Sequence, residues 1–229
     1  MARNTLTPEQ IVRVATRLLD EDGIEGLSMR KLGAALGSGA TSIYWHVTSR
    51  EKLILLAADQ VWSEIPLPDA DEIGWRAAAA SIASDTYAML TRHLWLVPAF
   101  GNQVLYGEGL AAYEEHCYKV YEAAGFSGRE LDWAVNTVFT FVLGTALGDA
   151  AASAVASDGN PADDQRAAIG DVEVAARIVD GHPRLRGRRD AYLGEDPRRL
   201  QSESLVFGVE TILDGLAARL DRSDSAQNG

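Results

Sequence analysis

The chain has 229 residues, 47% of them hydrophobic and 24% charged, which is enough to bury a core and too apolar for a disordered chain. No run approaches the roughly 20 uninterrupted apolar residues of a membrane helix, no basic-then-apolar leader is read, and a single cysteine, Cys117, excludes an intrachain disulfide framework. The expectation is a cytoplasmic protein with no membrane partner. The formal net charge of −12 argues, as an average, against nucleic acid, but it is unevenly spread: residues 1–56 carry seven Lys/Arg against six Asp/Glu, and residues 57–229 carry 14 against 27.

In chain order the first element is a helix opened by Thr7-Pro8-Glu9-Gln10, a capping box with proline where its missing N–H costs nothing. Ile11, Val14, Ala15, Leu18 and Leu19 give it one apolar stripe, and Gly23 is expected to end it. A second start at Ser28, stapled by Leu27 and Leu32, opens a short helix from Met29 to Leu36, which Gly37-Ser38-Gly39 breaks. A third short helix is expected from Thr41 to His46. Thr48-x-x-Glu51 then reads as a capping box for a fourth helix running through Leu53, Leu56, Ala57 and Val61 towards Glu64. Pro66-Leu67-Pro68-Asp69 marks a boundary. Beyond it, helical blocks are expected at 75–92, 107–124, 128–156, 164–180 and 200–221. His182–Pro197 reads as a basic loop and 222–229 as a frayed tail. No strand alternation is present, so the fold class is all-α, in two units: three short helices with a connecting helix (1–66), then a larger helical domain (67–221).

Two short helices joined by a glycine turn suggest a helix-turn-helix. In the presumptive reading helix, Thr41, Ser42 and Tyr44 supply hydroxyls, Trp45 and His46 supply N–H donors, and Ala40 stands at its start. Arg30, Lys31, Arg50 and Lys52 are placed to bracket phosphates on either side. On shape alone a packing role is an equal alternative.

Twelve of the 17 aromatic residues lie between Trp75 and Phe141. Most suit a core, but their mixture with amides and a Pro/Gly-interrupted segment suits an apolar pocket with a few polar groups. The pocket candidates are Trp62, Tyr87, Trp95, Phe100, Asn102, Gln103, Tyr106, Tyr113, His116, Asn136, Phe139 and Thr140. His46, His93, His116 and His182 share no ligand spacing, so no metal and no cofactor are expected. Val138, Leu143, Gly144, Ala146, Leu147 and Gly148, with Leu205, Val209, Ile212, Leu213 and Leu216, form two stripes suited either to a four-helix dimer interface or to intrachain core.

Leu27-Ser-Met-Arg-Lys-Leu-Gly-Ala-Ala-Leu-Gly37, Ser42-Ile-Tyr-Trp-His-Val47 and Arg50-Glu-Lys-Leu53 together resemble the TetR family of bacterial regulators, in the branch around the tetracycline repressor. Leu205 to Leu216 resembles the last helix of that branch's regulatory domain. The resemblance implies a homodimeric repressor of a palindromic operator, released when a small molecule displaces the connecting helix. It implies DNA contacts at Arg30, Thr41, Ser42, Tyr44, Trp45, His46 and Arg50. Gly39-Ala40-Thr41 departs from the tetracycline repressor's turn, and Phe100–Gln103 lacks the histidine through which that repressor holds its magnesium-chelated drug. The expected effector is therefore metal-independent, mostly apolar or aromatic, and not tetracycline. Two alternatives are an effector-free DNA-binding regulator and an enzyme with a structural helix-turn-helix. No G-x-S-x-G, P-loop, H-E-x-x-H or G-x-G-x-x-G motif supports the enzyme.

Overall fold

The computed structural model describes residues 6–38, 43, 45, 47–101, 104–157 and 173–227, and among these the only regular elements are helices. Helix α1 (Pro8–Gly26) begins with the expected box: Thr7 Oγ1 accepts from Gln10 N, and Gln10 Oε1 accepts from Thr7 N. Gly23, at φ 66° and ψ −173°, leaves helical geometry and ends the first helical run as expected; a short second run, joined across this kink, carries α1 to Gly26. Helix α2 (Met29–Ala35) is capped by Ser28, whose Oγ accepts from Lys31 N at 3.2 Å. Helix α3 (Arg50–Trp62) starts on Ser49, not Thr48: extended Ser49 places its Oγ 3.1 Å from Lys52 N. Ile11, Ala15, Leu18, Leu19, Leu32, Ile43, Val47, Leu53 and Ala57 are buried together as the core of this first unit.

After Pro66 and Pro68 come α4 (Ala70–Ile73), α5 (Trp75–Arg92), α6 (Leu96–Ala99), α7 (Glu108–Ala123), α8 (Gly128–Ser157), α9 (Pro183–Ala191) and α10 (Pro197–Gln227). The block expected at 164–180 is helical throughout its described part, 173–180, and residues 164–172 lie outside the described residues. Two expectations are corrected. The basic segment is not a loop: α9 forms there, with Pro183 at its start, where a fixed φ favours the helix. Its charge is partly neutralised, Arg189 pairing with Asp180 at 2.7 Å and Asp190 at 3.0 Å. Nor does the last helix fray at 222; it continues to Gln227.

Helix α5 is the hub of the second unit, packing against α4, α7, α8 and α10, while α7 bridges α3 and α8. Residues 128–148 of α8 are long and apolar enough, by length and composition, to cross a membrane, although no uninterrupted apolar run exists there. Only 28% of that window is buried in the chain. The helix has two apolar faces. One carries Leu131, Ala134, Val138, Val142 and Ala146 into the core, and the other leaves Trp133 and Leu147 exposed. Helix α10 repeats the pattern, burying Leu205, Val209, Leu213 and Leu216 and exposing Val206 and Phe207. The stripe expected on α10 is thus mostly intrachain core, whereas the one on α8 is divided: Val138 and Ala146 are buried, and Gly144, Leu147 and Gly148 are exposed.

Candidate functional site

In the first unit, Arg30, Lys31 and Lys52 are exposed. Lys31 Nζ lies 2.6 Å from Asp22 Oδ2, an exposed pair that leaves the ammonium hydrated and able to exchange partners. Ile43 and Val47 are buried anchors that hold the segment between them against the core, and Trp45 stands 85% exposed on the outer side. Trp45 is therefore not a core element. Ala40, Thr41, Ser42, Tyr44 and His46 lie outside the described residues. Arg50 has a different setting from the expected bracket. Its Nε donates to the Leu27 carbonyl at 2.9 Å and its Nη2 to the Ile24 carbonyl, so it ties the start of α3 to the α1–α2 corner.

The second unit holds a cavity of about 120 Å³ between α5, α7 and α8. Ala79, Ile82 and Ala83 line it from α5; Leu110, Tyr113, Cys117 and Tyr121 from α7; and Val135, Val138, Phe139 and Val142 from α8. Polar groups sit at its edge: Glu114, Tyr118 and the exposed Asn136. Thr86 Oγ1, which donates to the Ile82 carbonyl, lies 3.1 Å from the Tyr113 hydroxyl. Burial raises the ionisation of Tyr113 and Tyr121 above the ordinary range and pushes the Cys117 thiol up to about 11, so all three line the wall as neutral groups. Among the described residues no three His, Cys, Asp or Glu side chains converge as a metal site.

The cavity gathers Tyr113, Asn136 and Phe139 from the expected set. Trp62 is buried behind it, its ring centroid 4.8 Å from Tyr113 and 6.2 Å from both Phe139 and Phe100. The other candidates are elsewhere. The indole of Trp95 donates to Asp20 on α1. Tyr87 is half-buried against the core but outside the lining, and exposed Tyr106 donates to Glu114. His116 donates to the Pro68 carbonyl at 2.8 Å, and Thr140 is exposed on α8. Asn102 and Gln103 lie outside the described residues. Cys117, Tyr118 and Tyr121 were missed. Their signal was the 3–4 spacing of Leu110, Tyr113, Cys117 and Tyr121, which puts one face of α7 on the wall.

Helix α3 touches this wall directly. Asp59 Oδ1 accepts from Gly109 N at 2.6 Å, capping α7 from the connecting helix. A Cβ on Gly109 would lie 2.3 Å from the Asp59 carbonyl oxygen, so glycine is what lets the two helices approach this closely.

Comparison with known families is consistent with both units. A family model described as bacterial regulatory proteins, tetR family, matches residues 11–57, and the tetracyclin repressor-like C-terminal domain matches residues 67–220. The chain belongs to the TetR family. Among its TetR-family relatives, the HTH-type transcriptional repressor DrrR1 of Streptomyces coeruleorubidus is 31% identical over 93% of this chain and 77% of that one. An HTH-type transcriptional regulator of Saccharopolyspora erythraea is 35% identical over 61% of this chain, a match spanning 59% of that regulator's length. ActR from Streptomyces coelicolor shares the fold, with a TM-score of 0.72 at 23% identity over 97% of this chain and all of that one. ActR in complex with actinorhodin aligns with the same score at 22% identity, over 94% of this chain and 97% of that one.

Proposed function

We propose that this TetR-family chain is a transcriptional repressor that binds a palindromic operator as a homodimer and lets go when a small, mostly apolar or aromatic molecule enters the α5–α7–α8 cavity. The carrying observation is that the cavity wall and the connecting helix are one packed body: Tyr113 and Phe139 line the cavity and stack on Trp62, the last residue of α3. A guest that moves those rings moves the helix that carries the reading head. The division proposed is a head at 1–66 and a sensor and dimer domain at 67–221.

Cavity size and chemistry favour a ring. An engineered apolar cavity of about 150 Å³ accommodates benzene, and this one is comparable, apolar within and polar at its edge. The Trp62 indole N–H is buried with no hydrogen-bond partner among the described residues, so an acceptor on the guest that reached it would remove a cost of about 1–3 kcal/mol. The complex of ActR, of the same fold, with actinorhodin supports a small-molecule guest. The exposed apolar faces of α8 and α10, with Gly144 and Gly148 open to close approach, support a four-helix dimer interface. In the reading segment, the exposed Trp45 and the cations Arg30, Lys31 and Lys52 support a DNA surface, with Ala40, Thr41, Ser42, Tyr44 and His46 proposed as its other contacts. A DNA-binding protein of this kind works in the cytoplasm.

The test is selection of operator DNA from a random pool by the full-length chain, then displacement with a panel of fused-ring phenols, with and without EDTA. Release by a fused-ring phenol, unchanged by EDTA, is expected. No selected sequence would refute the operator reading, and selected DNA that no ring compound releases would refute the effector reading.

A further inference from the structure

Outside the cavity, one polar cluster around the buried His93 joins three separate parts of the chain. Asp20 lies on α1 in the head, Glu64 follows α3, and His93 is the C-cap of α5 in the sensor. The His93 side chain is nearly fully buried between the two acids. Its Nδ1 is 2.7 Å from Asp20 Oδ1, and its Nε2 is 3.3 Å from Glu64 Oε2. The same Asp20 oxygen accepts from Trp95 Nε1 at 2.8 Å, and Arg92 Nη1 donates to the same Glu64 oxygen at 2.9 Å.

Ionised carboxylates only accept hydrogen bonds, and a neutral imidazole has a single N–H. An imidazole with a carboxylate oxygen at each nitrogen satisfies both only as the cation, donating on each side. We propose that His93, held as an imidazolium between Asp20 and Glu64, is the positioning residue that fixes the reading head against the sensor domain in its operator-binding orientation. Free of this tie, the head can pivot about the connecting helix and must be ordered when DNA binds, which costs affinity because both heads of a dimer must meet two half-sites at a set spacing.

The groups facing His93 from the elements packed on it are Asp20 from α1, Glu64 from the end of α3, and Arg92 from α5, which pairs with Glu64. Burial on its own would lower the ionisation of His93, but the hydrogen bonds and charges of Asp20 and Glu64 outweigh it and raise the pKa above the ordinary 6.5. The direction of the effect follows. A raised folded-state pKa means the tie is fully present below about pH 6.5 and is lost as pH rises through the higher folded value.

The experiment compares operator affinity of the full-length wild type, His93→Gln, Asp20→Asn and the double variant from about pH 6 to pH 9. His46 is present in all four and cancels in the ratios. At the acid end His93→Gln should bind about fivefold more weakly than wild type, and the ratio should approach one at the alkaline end. Asp20→Asn, which keeps the shape of a partly exposed side chain, should lower the midpoint of the wild-type profile. The double variant should bind no more weakly than either single one, as expected for one shared interaction. Parallel profiles for wild type and His93→Gln, or tighter binding by His93→Gln, would overturn the proposal. Hydrogen exchange over 8–26, measured without DNA, reads the attachment itself: it should be faster in both single variants at the acid end, and equal exchange would overturn the proposal even if no operator were found.

Discussion

The contact between Gly109 and Asp59 makes the sharpest prediction about how the two units communicate. In Gly109→Ala the new Cβ would lie 2.3 Å from the Asp59 carbonyl oxygen, 2.6 Å from Ser63 Oγ and 3.1 Å from Asp59 Oδ1. Ser63 can rotate away, but the carbonyl belongs to the α3 backbone. Ordinary contact begins near 3.4 Å, so α3 and α7 must part by roughly 1 Å. That stretches the 2.6 Å bond from Gly109 N to Asp59 Oδ1 beyond useful length. Losing a hydrogen bond to a charged group costs about 1.5–3 kcal/mol. Replacing glycine by alanine in a helix returns about 0.5–1 kcal/mol, less here because Gly109 is in the first turn of α7. The net expectation is a loss of about 1–2 kcal/mol, measured by urea unfolding at fixed protein concentration. Because α7 lines the cavity, the same separation should weaken release of operator DNA by the effector more than it weakens operator binding. A variant as stable as wild type, with unchanged release, would refute the contact as a transmission point.

Three further predictions follow from other parts of the molecule. Ala83→Phe puts a ring into the cavity from α5, where Ala83 is buried in the lining; operator binding should survive while release by ring compounds is lost, read by displacement titration. Phe207→Asp places a charge on a side chain that is 74% exposed on α10; if that face pairs with a second copy, sedimentation should show the variant as a monomer at concentrations where wild type is a dimer. Cys117, with its thiol pushed up to about 11 by burial, should react with iodoacetamide at pH near 8 about a hundredfold or more slowly than an unfolded control. A fast native reaction would mean that the thiol is not on the inner wall.

Much of the head was legible because its information is local. Thr7 and Gln10, Ser28, and the Ile11-to-Leu19 stripe act over three or four residues, and each of these elements forms as its spacing requires. The slip from Thr48 to Ser49 shows the limit: both hydroxyls precede the same helix, and backbone direction, not composition, selects which one caps. The cavity was less legible. Trp95 read as a pocket residue because it is aromatic and near a broken segment, yet its indole reaches Asp20, 75 residues earlier. Tyr121 and Cys117 were not among the expected pocket residues, and their exposure to a void depends on how α5 and α8 sit over α7. The two apolar stripes stayed ambiguous for a related reason. On a helix apolar on two faces, the pattern cannot say which face meets its own chain, and the buried face proved to be the one with Val138, Ala146, Leu205, Val209 and Leu213.

On the proposed function, the ties along α3 are the route by which so small a cavity would control a distant DNA surface. The helix has 13 residues, about 20 Å of rigid rod. At its first residue, Arg50 grips the carbonyls of Leu27 and Ile24 at the corner of the head. At its other end, Asp59 caps α7, Trp62 stacks on two residues of the cavity wall, and Glu64 just beyond meets His93. A rod held at both ends cannot absorb a displacement by bending its ladder of hydrogen bonds; it transmits it. A shift of 1 Å across the rod at Trp62 tilts it by about 3° over its length, and the head, fastened by Arg50, tilts with it. Arg50 in this setting is the handle by which the sensor turns the head, whatever it also offers to phosphate. Arg50→Lys therefore separates the two roles: it keeps a positive charge near the backbone of DNA but lacks the fork that holds two carbonyls. Operator affinity close to wild type with release by the effector reduced is the expected outcome, and loss of affinity with release intact among the bound fraction would assign Arg50 to phosphate alone.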